Sequence, residues 1–237
     1  MSRIEAELTI RTVKLGVVMF RVKICGVRLK KDVEAVGRSG ADAIGLNFFP
    51  PSVRYVDPAS ESTQNLSKTA QELGLLRVGV FVNNDLEQLR SIAASVGLDA
   101  LQLHGDEPVE LAKQLIADGI RVIRAIKLPR TELSAVEIQT VAQPWIDAGV
   151  QLLLDADAGA AHGGSGKTLD WASIKRWSES AGEVEWTLAG GLKPENIADA
   201  VASTGAVSID TASGVECPKG VKNEQRILDF ASQSGLV

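Results

Sequence analysis

Short aliphatic runs alternate with amphipathic stretches along most of this 237-residue chain. The aliphatic runs predict strands over residues 20–24, 43–47, 77–82, 100–103, 122–127, 151–154, 185–189 and 206–210. The stretches between them predict helices over 31–39, 58–73, 85–96, 108–117, 132–147, 170–180, 194–200 and 222–232. Repeated strand–helix alternation implies a parallel sheet with helical crossovers. Local chemistry supports the boundaries. Asp85, Asp170 and Ser178 are of helix-end type, and Pro108 and Pro194 suit the first turn of a helix. Gly40, Gly74, Gly97, Gly119, Gly149, Gly182 and Gly205 each precede a strand, where a helix C-cap needs a left-handed residue. No linker or low-complexity tract divides the chain. Eight βα units favour an α/β fold built as a single (β/α)8 TIM barrel over a doubly wound sheet. The doubly wound fold would need a Gly-rich fingerprint directly after the first strand, but that position reads Lys23-Ile24-Cys25-Gly26.

In such a barrel the chemistry lies where strands end and βα loops begin. The residues at those ends are Cys25, Asn47, Asn83, His104, Lys127, Asp155, Gly190-Gly191 and Asp210. Side chains alternate faces along a strand, so Lys23 with Cys25, Gln102 with His104, and Ser208 with Asp210 share faces opposite their aliphatic neighbours. Polar sets of this kind, aimed at the barrel axis, point to a site on the rim. Two consecutive final loops suit a phosphate, Gly190-Gly191 before a Pro-opened helix and Asp210 to Gly214 after the last strand. Glycines let backbone N–H groups approach an anion, and a helix N-terminus adds a favourable dipole. The Gly-rich segment 155–168 ends in Gly166-Lys167-Thr168 but lacks the P-loop spacing, since Ala161 stands where the first Gly is required. It reads as a cover over the site, with His162 a loop residue.

Composition narrows the partners. Aromatic residues make up only 4% against 45% hydrophobic overall, so the core is aliphatic, which suits strands buried on both faces. A net charge of -5 argues against nucleic-acid binding, which needs a basic surface. No run of apolar residues is long enough to span a membrane. Two Cys do not make a disulfide framework, and a reducing cytoplasm is the expected compartment. Residues 1–18 read as an N-terminal extension, possessing no clear signal-peptide core, ahead of a catalytic barrel over 19–237.

Seven segments, in order, resemble phosphoribosylanthranilate isomerases. They are Lys23 to Gly26 (KICG); Gly45 to Tyr55 (GLNFFPPSVRY); Arg77 to Val82 (RVGVFV); Gln102 to Gly105 (QLHG); Leu153 to Asp155 with Gly163 to Trp171 (GGSGKTLDW); Leu188 to Leu192 (LAGGL); and Asp210 to Glu216 (DTASGVE). The resemblance covers 19–237. Val53 stands where the family often has Pro, and Ala212 where it often has Ser, which removes one hydroxyl donor from the phosphate end.

The resemblance implies an Amadori rearrangement of N-(5-phosphoribosyl)anthranilate to 1-(o-carboxyphenylamino)-1-deoxyribulose 5-phosphate, in tryptophan biosynthesis. It implies Asp155 as general acid, which needs a protonated fraction near neutral pH, with Asp157 the nearby competitor. It implies Cys25 as general base, which must act as a thiolate, and Lys23 on the same face is expected to lower the thiol pKa. Arg54 is the expected partner of the anthranilate carboxylate, among the aromatics Phe48, Phe49 and Tyr55. His104 is expected to orient substrate. Gly190, Gly191, Asp210, Ser213 and Gly214 form the expected phosphate end, where Asp210 shapes the loop or meets ribose hydroxyls rather than the anion. No metal or organic cofactor is implied, because the substrate's iminium is its own electron sink. The expected partner is a small phosphorylated substrate, with no nucleic acid and no membrane, and the chain is a monomer or homodimer. Cys217 follows the last strand and, once the barrel closes, is a candidate to approach Cys25. A phosphosugar epimerase, an indole-glycerol-phosphate synthase and a non-catalytic phosphate-binding barrel are the alternatives; the first wants more His, the second a longer N-terminal segment, and the third the loss of Cys25 or Asp155.

Overall fold

In the computed structural model, which describes residues 18–156 and 168–237, eight strands and eight helices alternate. The strands are β1 (Val22–Cys25), β2 (Ala43–Asn47), β3 (Leu76–Phe81), β4 (Ala100–Leu103), β5 (Arg121–Leu128), β6 (Gln151–Ala156), β7 (Trp186–Leu188) and β8 (Ile209–Thr211). The helices are α1 (Lys30–Ser39), α2 (Glu61–Glu72), α3 (Leu86–Val96), α4 (Val109–Ala117), α5 (Ala135–Asp147), α6 (Trp171–Ser180), α7 (Pro194–Thr204) and α8 (Glu224–Ser234). Each strand pairs in parallel with the next, and β8 returns to β1 with Lys23 opposite Asp210. This closed ring is the expected TIM barrel.

Strand parity sorts the aliphatic residues into two layers. Val22, Ile24, Ile44, Leu46, Leu101, Leu103, Leu152, Leu154 and Ile209 belong to the outer core, packed under the helices. Ala43, Val78, Ala100, Ile123, Ala125, Leu153 and Ala189 fill the barrel's interior with Phe20. The polar residues that share this interior parity are buried too, among them Lys23, Gln102, Gln151, Thr187, Ser208 and Asp210. Burial of polar groups demands partners. Gln151 Nε2 donates to Thr187 Oγ1 at 2.9 Å, and Thr187 meets Ser208 at 2.8 Å, which closes part of that account inside the barrel.

Helix boundaries follow their caps more closely than their hydrophobic pattern. Asp85 and Asp170 accept from the N–H groups of Gln88 and Ser173, as the sequence suggests. Ser60 caps α2 and Ser134 caps α5, so these helices start three residues later than expected at each position. Pro108 is itself the N-cap of α4, and Ser178 lies inside α6. All seven strand-preceding glycines have positive φ, between 71 and 80°. Two strand ends also differ. β6 runs on through Asp155 to Ala156, and β8 begins only at Ile209. Asp155 is thus held by a strand ladder, with Lys127 its register partner on β5, rather than by the loop. Residues 1–17 of the expected extension, Asp157 and His162 lie outside the described residues.

Candidate active site

The rim at the C-terminal strand ends gathers most of the expected residues. Cys25 ends β1 and is 7% exposed; Lys23, two residues earlier on the same face, is fully buried. Lys23 Nζ lies 2.8 Å from Asp210 Oδ1 across the β1–β8 seam. The contact is a buried ion pair, with the Lys23 side chain wholly buried and that of Asp210 nearly so. Burial works against the Lys23 ammonium, but Asp210 and Cys25 outweigh it and its pKa lies above the ordinary value. Asp210 therefore serves the buried ammonium, which explains an anion placed beside an expected phosphate site.

The thiol behaves differently from expectation. Burial pushes the Cys25 pKa up, and Asp210 adds to it; Lys23, Lys222 and Arg54 pull it down without overcoming burial. Lys23 thus acts in the expected direction, yet the net shift is upward because desolvation of the thiolate is the larger effect.

Arg54, in the loop after β2, is 8% exposed and holds Glu216 with two parallel bonds, Nε to Oε1 at 2.6 Å and Nη2 to Oε2 at 2.8 Å. This fork leaves the Nη1 edge unused by Glu216. Glu216 also accepts from Gly220 N at 2.8 Å and from Lys222 Nζ at 2.9 Å. Burial alone would raise its pKa, but the Arg54, Lys222 and Gly220 donors hold it at about 2. Burial likewise opposes the Arg54 charge, and Glu216 more than restores it.

Asp155 and His104 come together on the far wall. His104 Nε2 is 3.4 Å from Asp155 Oδ2, and Gln102 Nε2 is 2.9 Å from His104 Nδ1. With the Gln102 amide donating, Nδ1 is the acceptor and Nε2 carries the hydrogen toward the carboxylate. The imidazole thus faces the candidate acid.

At the expected phosphate end, Gly190 and Gly191 have φ of 81° and 71° and lead into α7. Thr211 Oγ1 donates to Leu192 O at 2.7 Å, locking the loop after β7 to the loop after β8. Gly214 packs against the same carbonyl, and Ser213 opens a single 3₁₀ turn, Ser213–Val215.

Sequence reading missed several supporting residues. A Cβ at Gly45 would stand 2.6 Å from Cys25 Sγ and 2.9 Å from its Cα, so only glycine leaves room for the thiol. A Cβ at Gly190 would stand 3.1 Å from Asp155 Oδ1 and 2.5 Å from Ala156 N. Gly190 therefore abuts the candidate acid as well as the phosphate end. The available clue to Gly45 was a glycine inside a strand, which marks close approach of a neighbour. Glu216 and Lys222 were also missed. Lys222 reads as the start of the last helix, but α8 starts at Glu224 with Asn223 as its cap, and Lys222 instead pairs backbone-to-backbone with Glu216.

The expectations for the aromatic residues and the cysteines resolve plainly. Phe48 stacks on Phe81 with ring centroids 5.2 Å apart, in the outer core rather than at the site, while Tyr55 is half-buried beside Asn47. Both cysteines are free thiols, Cys25 buried and Cys217 exposed, so they are not joined. Among the described residues no three His, Cys, Asp or Glu side chains gather as metal ligands, and no helix is long and apolar enough to cross a membrane.

The family model for N-(5'phosphoribosyl)anthranilate (PRA) isomerase matches residues 22–233. The chain is 39% identical over 214 residues to the N-(5'-phosphoribosyl)anthranilate isomerase of Acinetobacter calcoaceticus, covering 89% of this chain and 94% of that one. It resembles the crystal structure of the Thermotoga maritima isomerase with a TM-score of 0.79 at 35% identity, covering 92% of this chain and all (100%) of the other. A PRA isomerase solved in complex with reduced 1-(o-carboxyphenylamino)-1-deoxyribulose 5-phosphate gives a TM-score of 0.75 at 32% identity, over 92% of this chain and 100% of that one. Monomers generated from the dimeric Thermotoga maritima enzyme give a TM-score of 0.74 at 33% identity, with the same shares, 92% and 100%.

Proposed function

Since the chain belongs to the phosphoribosylanthranilate isomerase family, isomerases of tryptophan biosynthesis, we propose that it performs their Amadori rearrangement with Asp155 as general acid and Cys25 as general base. The observation that carries this reading is the pair's setting. Cys25 and Asp155 have the inward parity at the strand ends of β1 and β6, each beside a glycine that leaves it room. Asp155 protonates the furanose ring oxygen as the C1'–O bond breaks and the nitrogen lone pair forms the iminium. The Cys25 thiolate takes the C2' proton, and that electron pair neutralises the iminium to give an enolamine. Protonation at C1' with loss of the enol hydroxyl proton then yields the ketone, so no net proton is consumed.

Arg54 offers its free Nη1 edge to the anthranilate carboxylate. The N–H groups around Gly190, Gly191, Ser213 and Gly214 take the phosphate, assisted by the α7 N-terminus. His104 faces Asp155, so its contribution to orienting the substrate passes through the acid. The substrate supplies its own electron sink, and the reading therefore includes no metal or cofactor. The rest of the reading is a catalytic domain over 19–237 with 1–18 ahead of it, a monomer or homodimer, and a cytoplasmic location.

Turnover of phosphoribosylanthranilate by wild type, Cys25→Ala and Asp155→Asn tests the assignment. Each variant is expected to lose at least about 100-fold in kcat, the lower range for a general acid or base. Absence of product with wild-type protein that binds the ligand overturns the reaction; full rate in either variant overturns that residue's role.

A further inference from the structure

Glu216 and Lys222 are buried, charged and unused by the mechanism above. Their side chains are only 1% and 2% exposed. A backbone bridge between Glu216 and Lys222 sets the two side by side, and Cys217 N donating to Val221 O at 2.9 Å tightens the excursion between them. From there the contacts run in two directions. Lys222 Nζ donates to Ala212 O at 2.7 Å, in the turn that follows β8. It also meets Glu216 Oε1 at 2.9 Å, and Glu216 holds the Nε and Nη2 edge of Arg54. A continuous path of four groups thus joins the Asp210–Gly214 turn to the guanidinium: Ala212 carbonyl, Lys222 ammonium, Glu216 carboxylate, Arg54.

We propose that Lys222 and Glu216 are positioning residues that set the distance between the two anion-binding ends of the site, and so select a ligand carrying a phosphate and a carboxylate at that spacing. The inference rests on the reading that Arg54 takes the carboxylate and the loops after β7 and β8 take the phosphate. The physical ground is that each link is short and directed, and the three charged side chains are at most 10% exposed. Arg54 is fixed by a bidentate fork, which settles the plane of the guanidinium as well as its place. Glu216 has donors on both oxygens, Arg54 Nε and Lys222 on Oε1 and Arg54 Nη2 and Gly220 N on Oε2, so it cannot rotate without breaking charge-assisted bonds. Arg28 Nη2 further donates to Gly220 O at 2.8 Å, tying this excursion to the loop after β1. A ligand with one anion needs only one end in place. A ligand with two spends its second contact well only if the ends are already held at the right spacing, which is the benefit of a preorganised site.

The test compares binding of a two-anion probe with binding of one-anion probes, using calorimetry or competition against turnover. The two-anion probe is reduced 1-(o-carboxyphenylamino)-1-deoxyribulose 5-phosphate; the one-anion probes are inorganic phosphate and anthranilate. In Lys222→Met and in Glu216→Gln, affinity for the two-anion probe is expected to fall at least tenfold, while each one-anion affinity changes less than threefold. Thermal melting identifies which variant is folded at the assay temperature, and either one suffices. An unchanged two-anion affinity overturns the inference. So does an equal loss for a one-anion probe, which would make the residue a support for one end only. Arg54→Met separates the underlying reading: if it leaves anthranilate binding intact, the carboxylate assignment fails, whatever Lys222→Met does.

Discussion

At Cys25 two opposing effects meet, and their balance makes a prediction. Burial and Asp210 favour the thiol; Lys23, Lys222 and Arg54 favour the thiolate, and the net pKa lies above the ordinary value of 9.0. The base works only when deprotonated. At pH values below the thiol's pKa most molecules hold the inactive thiol, so kcat/KM is expected to climb with pH through an alkaline limb. Asp210→Asn removes the negative neighbour and is expected to move that limb to lower pH, measured on whatever activity the variant keeps. The same change leaves Lys23 buried without its counter-charge and is expected to destabilise the fold by about 3–5 kcal/mol, read by urea denaturation. Gly45 supplies a second prediction at this scale. The backbone of Cys25 cannot retreat from an added Cβ, so Gly45→Ala is expected to cost about 1–3 kcal/mol in stability and more than tenfold in kcat through displacement of the thiol. A smaller loss in kcat than in a remote Gly→Ala variant would show that Sγ placement is not what Gly45 protects.

Among the elements, the glycines that end helices carry the register of the barrel. Nothing lies within 4 Å of where a Cβ would stand at Gly119, yet its φ is 79°. Gly119→Ala therefore meets no neighbour and suffers only from conformation, an expected loss of about 1 kcal/mol and roughly 2–4 °C in Tm. Gly119→Asn, which tolerates the left-handed region, is expected to recover part of it. This punctuation was legible in the sequence because a helix-ending glycine depends on one residue's backbone. The strand order was legible for a similar reason, since eight alternating units have one compact closed arrangement. Inward parity of Lys23, Gln102, His104, Ser208 and Asp210 was legible from the two-residue strand period. The Arg54–Glu216–Lys222 cluster was not. It joins loops after β2 and β8, and neither hydrophobic period nor turn chemistry encodes which loop tips meet across a closed ring. Phe48 misled for the converse reason: its neighbours in sequence lie at the rim, but strand parity sends its ring into the layer beneath the helices. The upward shift of Cys25 was hidden as well, because a sequence shows which charges share a face and not how completely water is removed from them.

For the molecule as a whole, Glu216 makes the link between the loops after β2 and β8 sensitive to acid. Its pKa lies at about 2 in the folded protein against 4.5 for an ordinary glutamate. A lowered folded pKa contributes stability that is present above 4.5 and is lost as pH falls toward 2. The whole effect is on the order of 3 kcal/mol by the linkage between pKa and stability. Glu216→Gln is expected to be less stable near neutral pH and to show a flatter decline between those limits, measured by urea unfolding at stepped pH; an unchanged slope would exclude Glu216 as its source. The seam between β1 and β8 has a further consequence for how the enzyme comes into being. The buried ion pair beneath Cys25 joins the first strand to the last, so a chain cut before Ile209 holds the thiol without its electrostatic frame. During refolding, recovery of helical circular dichroism is then expected to precede recovery of turnover. The first catalytic cycle becomes a clock for the moment the ring shuts, and a newly made chain remains inert until its final βα unit has emerged and docked.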